Sequence, residues 1–224
     1  MPVAFESAQS NYVTSSAQTT VVVTAPANIA DGDLLLAYSG SDPLRTVSAP
    51  NGWTLIHEND YSTVHRQCVW FKKAASESGD YTFTTGGTYS SLSVSIARFT
   101  GAQCESASDF THATASTASY VNTMTCANID TAVNNSLIWW GGVGGNGSAS
   151  SASRGTERVD VAVGSYNRAV CAFIESVASA GTQSGSVVTR DNYSTGNMTL
   201  SLVIQPAAAA STPLPLFMQM YHRG

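Results

Sequence analysis

The sequence predicts an all-β fold, and three observations carry that prediction. The patterned segments are short, rich in β-branched and aromatic residues, and bounded by Gly, Asn, Asp and Ser. No window of a dozen residues keeps the 3.6-residue apolar period of an amphipathic helix. The two halves of the chain also resemble each other in the order of their segments. Together these patterns favour a two-sheet, jelly-roll-like sandwich built from two sequence-similar halves, followed by an extended C-terminal arm.

Six strands are predicted in the first half of the chain. They cover residues 19–24, 34–38, 53–58, 64–71, 81–85 and 92–99. In the last of them residues alternate with a period of two, so its two faces differ. One face carries Leu92, Val94 and Ile96, and the other carries Ser93, Ser95 and Ala97. We expect the apolar face to lie in the core and the small-residue face to lie at the surface.

The internal repeat is visible as five matches that keep the same order. Residues 27–29 before the apolar run 34–38 match residues 127–129 before 137–140. Gly52 and Cys68 match Gly155 and Cys171, both at an offset of 103 residues. Residues 75–84 then match 180–189, and the strand beginning at Leu92 matches the one beginning at Leu200. Because alternating strands resemble one another by chemistry, the constant order is the stronger part of this evidence.

The repeat sets the predicted domain organisation. Half-repeats at about 19–101 and 120–205 form one sandwich domain over residues 1–205, because each half alone would leave a large apolar face open. Two separate tandem sandwiches are the alternative. The polar stretch 102–123 joins the halves, and part of it is expected to add an edge strand near Tyr120.

Residues 206–224 are predicted to form the arm. An Ala- and Pro-rich start blocks both sheet and helix, and a run of apolar side chains follows. The expected partner-binding residues of the arm are Leu214, Leu216, Phe217, Met218, Met220 and Tyr221. Such side chains need an apolar surface, which either the chain's own sandwich or a neighbouring subunit could supply.

Charge is scarce in this sequence. Charged residues make up 11% of the chain, and 10 Lys and Arg against 15 Asp and Glu give a net charge of −5. No basic field is available to hold a phosphate backbone, so nucleic acid is not an expected partner. No apolar run approaches the length of a membrane span, so a membrane is not expected either. A surface this poor in charge favours a protein that packs against its neighbours.

Candidate chemistry is sparse. His57, Glu58, Asp60 and His65 are close in sequence, but alternation along a strand and an Asn-Asp turn signal favour a hairpin over an acid–base or metal site. No catalytic residues, metal ligands or cofactors are therefore assigned. The cysteines are expected to be buried free thiols, although spacing leaves open a bond between two of them, Cys104 and Cys126.

Two further features concern the second half. Trp139 and Trp140 are neighbours on one predicted strand and point to opposite faces, so at least one is expected to be exposed unless both faces of the sheet are covered. An exposed ring there would contact a partner subunit or a ligand. Residues 141–147 are rich in glycine and lead into a Ser/Ala run rather than a helix, which favours a flexible surface loop over a phosphate site.

Four segments suggest a family: residues 24–37, 49–56, 69–84 and 96–102. Their succession resembles β-sandwich structural proteins of tailed bacteriophages over most of residues 19–206. The resemblance implies a non-enzymatic virion component that is assembled in the host cytoplasm. Its leading form is a head decoration (cement) protein, expected to be a homotrimer that binds the major capsid protein and its own copies. The alternative is a tail or fibre module that binds a host-surface carbohydrate or receptor, and a polysaccharide-cleaving enzyme on the same sandwich is a third.

Overall fold

The computed structural model describes residues 2–14, 18–42, 44–87, 91–145, 149–161, 168–194 and 196–208. Within these ranges the chain consists of antiparallel strands, with one short 3-10 turn at Ala107–Asp109. The predicted all-β sandwich class is confirmed. No helix in the described ranges is long and apolar enough to cross a membrane.

The first half of the chain forms two sheets from eight strands. The strands are β1 (Ala4–Val13), β2 (Thr20–Val23), β3 (Leu34–Asp42), β4 (Val47–Ser48), β5 (Thr54–Tyr61), β6 (His65–Lys73), β7 (Tyr81–Thr85) and β8 (Ser91–Thr100). Five of them form the first large sheet, in the order β1-β8-β3-β6-β5. The other three form the first small sheet, in the order β2-β7-β4.

The second half repeats this plan. Its strands are β9 (His112–Thr117), β10 (Val121–Thr125), β11 (Ile129–Thr131), β12 (Ser136–Gly145), β13 (Ala149–Ala152), β14 (Thr156–Asp160), β15 (Arg168–Val177), β16 (Gly181–Gln183), β17 (Val187–Ser194) and β18 (Asn197–Ile204). The second large sheet has the order β9-β18-β12-β15-β14, and the second small sheet has the order β10-β17-β13. β11 and β16 form a separate two-stranded ribbon.

The two halves are equivalent strand for strand once the ribbon is set aside. In each, the first, eighth, third, sixth and fifth strands form the large sheet, and the second, seventh and fourth form the small one. This is a jelly-roll-like order, in which the fifth strand extends the large sheet. Even a register shift recurs, between Leu55 and His57 on β5 and between Glu157 and Val159 on β14. Each repeat begins earlier than the sequence indicated, because β1 and β9 belong to it.

The layers differ in number from the expected two. Each half closes its own sandwich between its large and small sheets, and the two large sheets then pack face to face, so four layers are stacked. The physical reason is that the large sheets are apolar on both faces. Leu34 and Leu36 on β3 face the second half, whereas Leu35 between them faces the first small sheet. A sheet of this kind must be covered on both sides.

Corresponding positions face each other at the centre of the molecule. Gly40 on β3 and Val143 on β12 occupy the same place in the two repeats, as their strand pairings show. A Cβ atom on Gly40 would lie 2.5 Å from Cγ1 of Val143. Likewise, a Cβ atom on Gly141 would lie 3.1 Å from Cε1 of Tyr38, its counterpart in the first repeat. A glycine in one repeat therefore makes room for the larger side chain of the other.

The prediction that the small-residue face of β8 lies at the surface is wrong. Ser93, Ser95 and Ala97 are fully buried rather than exposed. They lie on the side of the first large sheet that faces the second half, while Leu92 and Val94 face the first small sheet. The expected surface is thus an internal contact between the two halves.

Candidate functional site

The prediction that Trp139 or Trp140 is an exposed contact is wrong, because both side chains are 0% exposed. Trp139 lies in the central core, with its ring 6.0 Å from that of Tyr38. Trp140 points the other way, into the core of the second half, and its indole N–H donates a 2.8 Å hydrogen bond to Glu175. The two rings do face opposite sides of one sheet, but both sides are covered.

The arm residues predicted to bind a partner, from Leu214 to Tyr221, lie outside the described residues. The described chain ends in a short stretch fixed to the body. Pro206 forms a bridge with Ala102, and the Ala207 N–H donates a 2.8 Å hydrogen bond to the Gly101 carbonyl. The last described residues therefore lie beside the start of the segment that connects the two halves.

The clustered acids and histidines near residue 60 form a hairpin, as the sequence predicts. Arg66 on β6 binds both Asp60 oxygens, at 2.7 and 2.9 Å, and lies 3.0 Å from a Glu58 oxygen. His57 instead lies against His112 of the second half, with ring centroids 4.4 Å apart and ring planes inclined by 39°. Burial, and the neighbouring His112, lower the pKa of His57. The carboxylates are thus held in ion pairs, apart from the histidine pair.

The four cysteines are free and buried, so the bond left open between Cys104 and Cys126 is absent. Burial raises the pKa of Cys104 to about 11 and that of Cys126 to about 12. These thiols stay protonated near neutral pH and are poor nucleophiles. Among the described residues, no group of three or more His, Cys, Asp or Glu side chains is placed to hold a metal ion.

A polar groove opens between β9 and β10 in the second half. Its volume is about 540 Å³, within the range of about 300–1,000 Å³ typical of small-molecule sites. Its walls are hydroxyl and amide side chains over a few apolar ones, and none of the lining residues is charged. The lining residues are Ala115, Ser116, Thr117, Ser119, Val121, Thr123, Met124, Thr125, Cys126, Ala127, Asn128, Asn197 and Thr199.

The inner wall of this groove is built from β18. The side chains of Asn197, Thr199 and Ser201 point from β18 toward β9 and the β10 segment, and all three residues are at most 2% exposed. The Thr199 hydroxyl lies 3.2 Å from the Ala115 carbonyl and can donate to it, and Ser201 donates a 2.7 Å bond to the Ala127 carbonyl. The bond to Ala127, and a 3.3 Å contact between the Thr199 hydroxyl and the Thr125 carbonyl on β10, connect the second large sheet to the end of β10.

In the first half, a hydrogen bond joins the two strands, β1 and β2, that correspond to β9 and β10. Asn11 on β1 and Ala115 on β9 hold corresponding positions, and the Asn11 amide donates a 2.8 Å hydrogen bond to the Val22 carbonyl on β2. Ala115 has no side chain that could make the equivalent link. The groove is therefore a feature of the second repeat alone, in the part of the chain that is described.

Two exposed tyrosines lie beside the groove. Tyr120 and Tyr193 are 70% and 54% exposed, and their rings stack with centroids 5.5 Å apart at an interplanar angle of 28°. The chain neighbours of Tyr120, Ser119 and Val121, both line the groove. The sequence predicts a strand near Tyr120, but no local pattern pairs Tyr120 with Tyr193, which is 73 residues away along the chain.

A second depression lies near the last described residues. Two adjoining cavities of about 510 and 220 Å³ share Val3, Leu137 and Ser176. Their apolar lining is formed by Pro2, Val3, Phe5, Leu137, Ile174 and Val177, and the larger cavity is also lined by the charged Arg158 and Glu175. Ala4, which lines the larger cavity, pairs with Thr100, next to the Gly101 that binds Ala207, so this depression begins close to the last described residues.

The outer face of the first small sheet has no charge. Its exposed side chains are Thr20, Val22, Ser48, Thr82 and Thr84. Only hydroxyl and aliphatic groups are thus presented on this face. Covering it with another protein surface costs less desolvation than covering a charged face, and its hydroxyl groups need hydrogen-bond partners there.

Comparison with known proteins adds no name to this fold. No family model matches the chain, no curated protein matches its sequence, and no solved structure matches its fold. The strand order itself defines the class, which is a duplicated, jelly-roll-like β-sandwich.

Proposed function

We propose that the chain is a structural protein of a bacteriophage virion, of the head decoration (cement) type. In this role it stabilises the head by binding the major capsid protein and other copies of itself, as a homotrimer. The observation that carries the proposal is the uncharged outer face of the first small sheet. Exposed faces of globular proteins normally mix both signs of charge, so a face of Thr and Val suits one that ends up covered.

The terminal segment 209–224 supplies the second part of the proposed mechanism. Its six apolar side chains would pack on a neighbouring subunit. The segment follows shortly after Ala207, which is hydrogen-bonded to Gly101. Burial of about 600 Å² of apolar surface would contribute about 15 kcal/mol before ordering costs, at about 25 cal/mol per Å². The depression at Val3 and Leu137 offers apolar side chains beside the last described residues, together with the charged Arg158 and Glu175.

Localisation tests the role directly. Particles of the phage that encodes the chain should carry many copies on the head, visible as protruding density in an electron-microscopy map. Purified protein should have the mass of a trimer by light scattering. Absence from the purified particles, or presence on the tail alone, would overturn the decoration proposal.

Deletion of residues 214–224 tests the mechanism. We expect the truncated protein to keep its thermal unfolding midpoint but to bind expanded heads less strongly, because the arm's contacts are lost. Phe217→Asp should act in the same direction, and Gln219→Ala, which changes a polar residue of the same segment, should bind normally. Unchanged head occupancy of the truncated protein would refute a role for the arm.

A second candidate function is the carbohydrate-binding tail or fibre module. The observation that favours it is the exposed Tyr120–Tyr193 pair beside an uncharged groove. Aromatic rings present apolar faces that suit the C–H faces of sugars, and exposed Tyr is common at binding surfaces.

A further inference from the structure

The groove between β9 and β10 contains polar side chains at positions that are apolar in the first half. The first half fills the positions of Asn197, Thr199 and Ser201 with Leu92, Val94 and Ile96, which are fully buried in an apolar core. Polar side chains contribute less to stability at such positions, even when they are hydrogen-bonded. The same topology is thus stable without them. Departures from the folding rules concentrate where a protein functions.

The chemistry of the lining defines the class of ligand. The Ser and Thr hydroxyls and the Asn amides can each donate and accept hydrogen bonds, whereas no lining side chain carries a charge. An ionic ligand would find no counter-charge among the lining side chains, since the nearby Arg190 is itself buried, and it would lose its hydration. A ligand with many hydroxyl groups and no charge can satisfy the walls, and the half-buried Val121 can contact its C–H groups.

The tyrosine pair extends this surface beyond the groove. Tyr120 stands between two lining residues in sequence, and its ring is the most exposed large apolar side chain described. A ring left this exposed and stacked on a second Tyr provides a flat, rigid contact surface. Sugars bind proteins through this combination of ring stacking and a few placed hydrogen bonds.

We infer that this groove, together with Tyr120 and Tyr193, is a binding site for a neutral oligosaccharide. The inference gives the second candidate function its site and its ligand class, and it does not depend on the decoration role. A sugar residue lies against the tyrosine pair, and the next residues of the chain run into the groove. The exposed lining residues Ser116, Ser119 and Thr123 offer their hydroxyl groups to the ligand. Thr199 and Asn197, which are almost fully buried, form the inner wall.

An array of neutral and acidic oligosaccharides, probed with the full chain, tests the inference. We expect binding to at least one neutral oligosaccharide and none that requires an acidic group. Titration calorimetry with that oligosaccharide should then show a loss of affinity of at least about tenfold for Tyr120→Ala, which is about 1.4 kcal/mol. Ala115→Asn should weaken binding similarly, because it places in the groove the side chain that closes the first half.

The matched control is Tyr12→Ala. Tyr12 is an exposed tyrosine of the first half, 44% exposed, and lies on β1 away from the groove. Its substitution should leave the affinity unchanged, and all variants should keep the unfolding midpoint of the parent chain. Absence of binding to every neutral oligosaccharide, or binding that neither Tyr120→Ala nor Ala115→Asn weakens, would overturn the inference. Head binding by the same variants is measured separately, so failure of one proposal is distinguishable from failure of the other.

Discussion

The two halves of this chain share a strand order but not an interior. Behind the large sheet, the first half presents Leu92, Val94 and Ile96 to its small sheet, and the second half presents polar side chains at the matching positions. Trp140 takes the place of the much smaller Ala37 and partly refills the second core. The comparison teaches that the strand order of this fold tolerates different side chains in the interior. The same order forms with an apolar interior in the first half and a partly polar interior in the second.

The centre of the molecule shows the opposite relation between the halves. There the side chain at a position of one repeat limits the size of the side chain at the corresponding position of the other, because the two positions are in contact. Gly40 lies against Val143 and Gly141 against Tyr38, so an enlargement in one copy is matched by a glycine in the other. Two large side chains facing each other at equivalent places would clash, which explains why the copies differ here.

The largest expected effect concerns the central core. Trp139→Ala should lower the free energy of unfolding by about 3–5 kcal/mol, because it removes a fully buried indole from between the two halves. Urea denaturation measures the change. Trp139→Phe is the control and should cost less than about 1.5 kcal/mol, since the indole N–H has no hydrogen-bond partner in the described structure. A loss below 1 kcal/mol for the alanine variant would contradict a shared central core.

The next effect tests whether the two interiors are interchangeable. Ile96→Ser places the side chain of Ser201 at the corresponding position of the first half and should cost about 2–5 kcal/mol, because no larger neighbour refills the space. Ser201→Ala in the second half should cost only about 0.5–1.5 kcal/mol, the net value of its hydrogen bond to Ala127. Equal losses at the two sites would remove the contrast between the halves.

A smaller effect tests the facing glycine. Gly40→Val should lower the free energy of unfolding by about 1–3 kcal/mol through overpacking against Val143. Adding Val143→Gly in the same chain should restore most of that loss, because the two positions then simply exchange side chains. Losses that add in the double variant would show that these residues do not share one space.

The smallest effect concerns the edge at which the halves meet. His57 on β5 lies against His112 on β9, and burial lowers the pKa of His57. The unfolded chain then binds the proton more readily than the folded one, so stability falls as the pH drops below about 6.5, the unfolded value. His57→Gln should flatten the dependence of the unfolding midpoint between pH 7 and 5. Parallel pH profiles for the variant and the parent chain would contradict this assignment.

The sequence predicts six of the eight strands of the first half, because the signals for a strand are local. Alternation, turn residues and the repeat order each depend on a few neighbouring residues, and they placed β3, β6, β7 and β8 within a few positions. The predictions are wrong where one sequence pattern is compatible with two structures. Residues 141–145 form buried strand rather than the expected loop, because glycine also appears where another element approaches closely. The match of Leu92 with Leu200 was also wrong, since the two residues face different cores.

The sequence by itself determined the all-β class, the duplication and the scarcity of charge, since these follow from composition and short-range periodicity. Only the tertiary structure decided which faces are covered. Serine, alanine and glycine on a strand look the same whether they face water or another sheet, so Ser93 and Gly141 gave no sign of the central contact. Only packing brought Tyr120 to Tyr193 and left the second half open at its edge. The physical reason is that burial depends on partners distant in sequence, which no local pattern encodes.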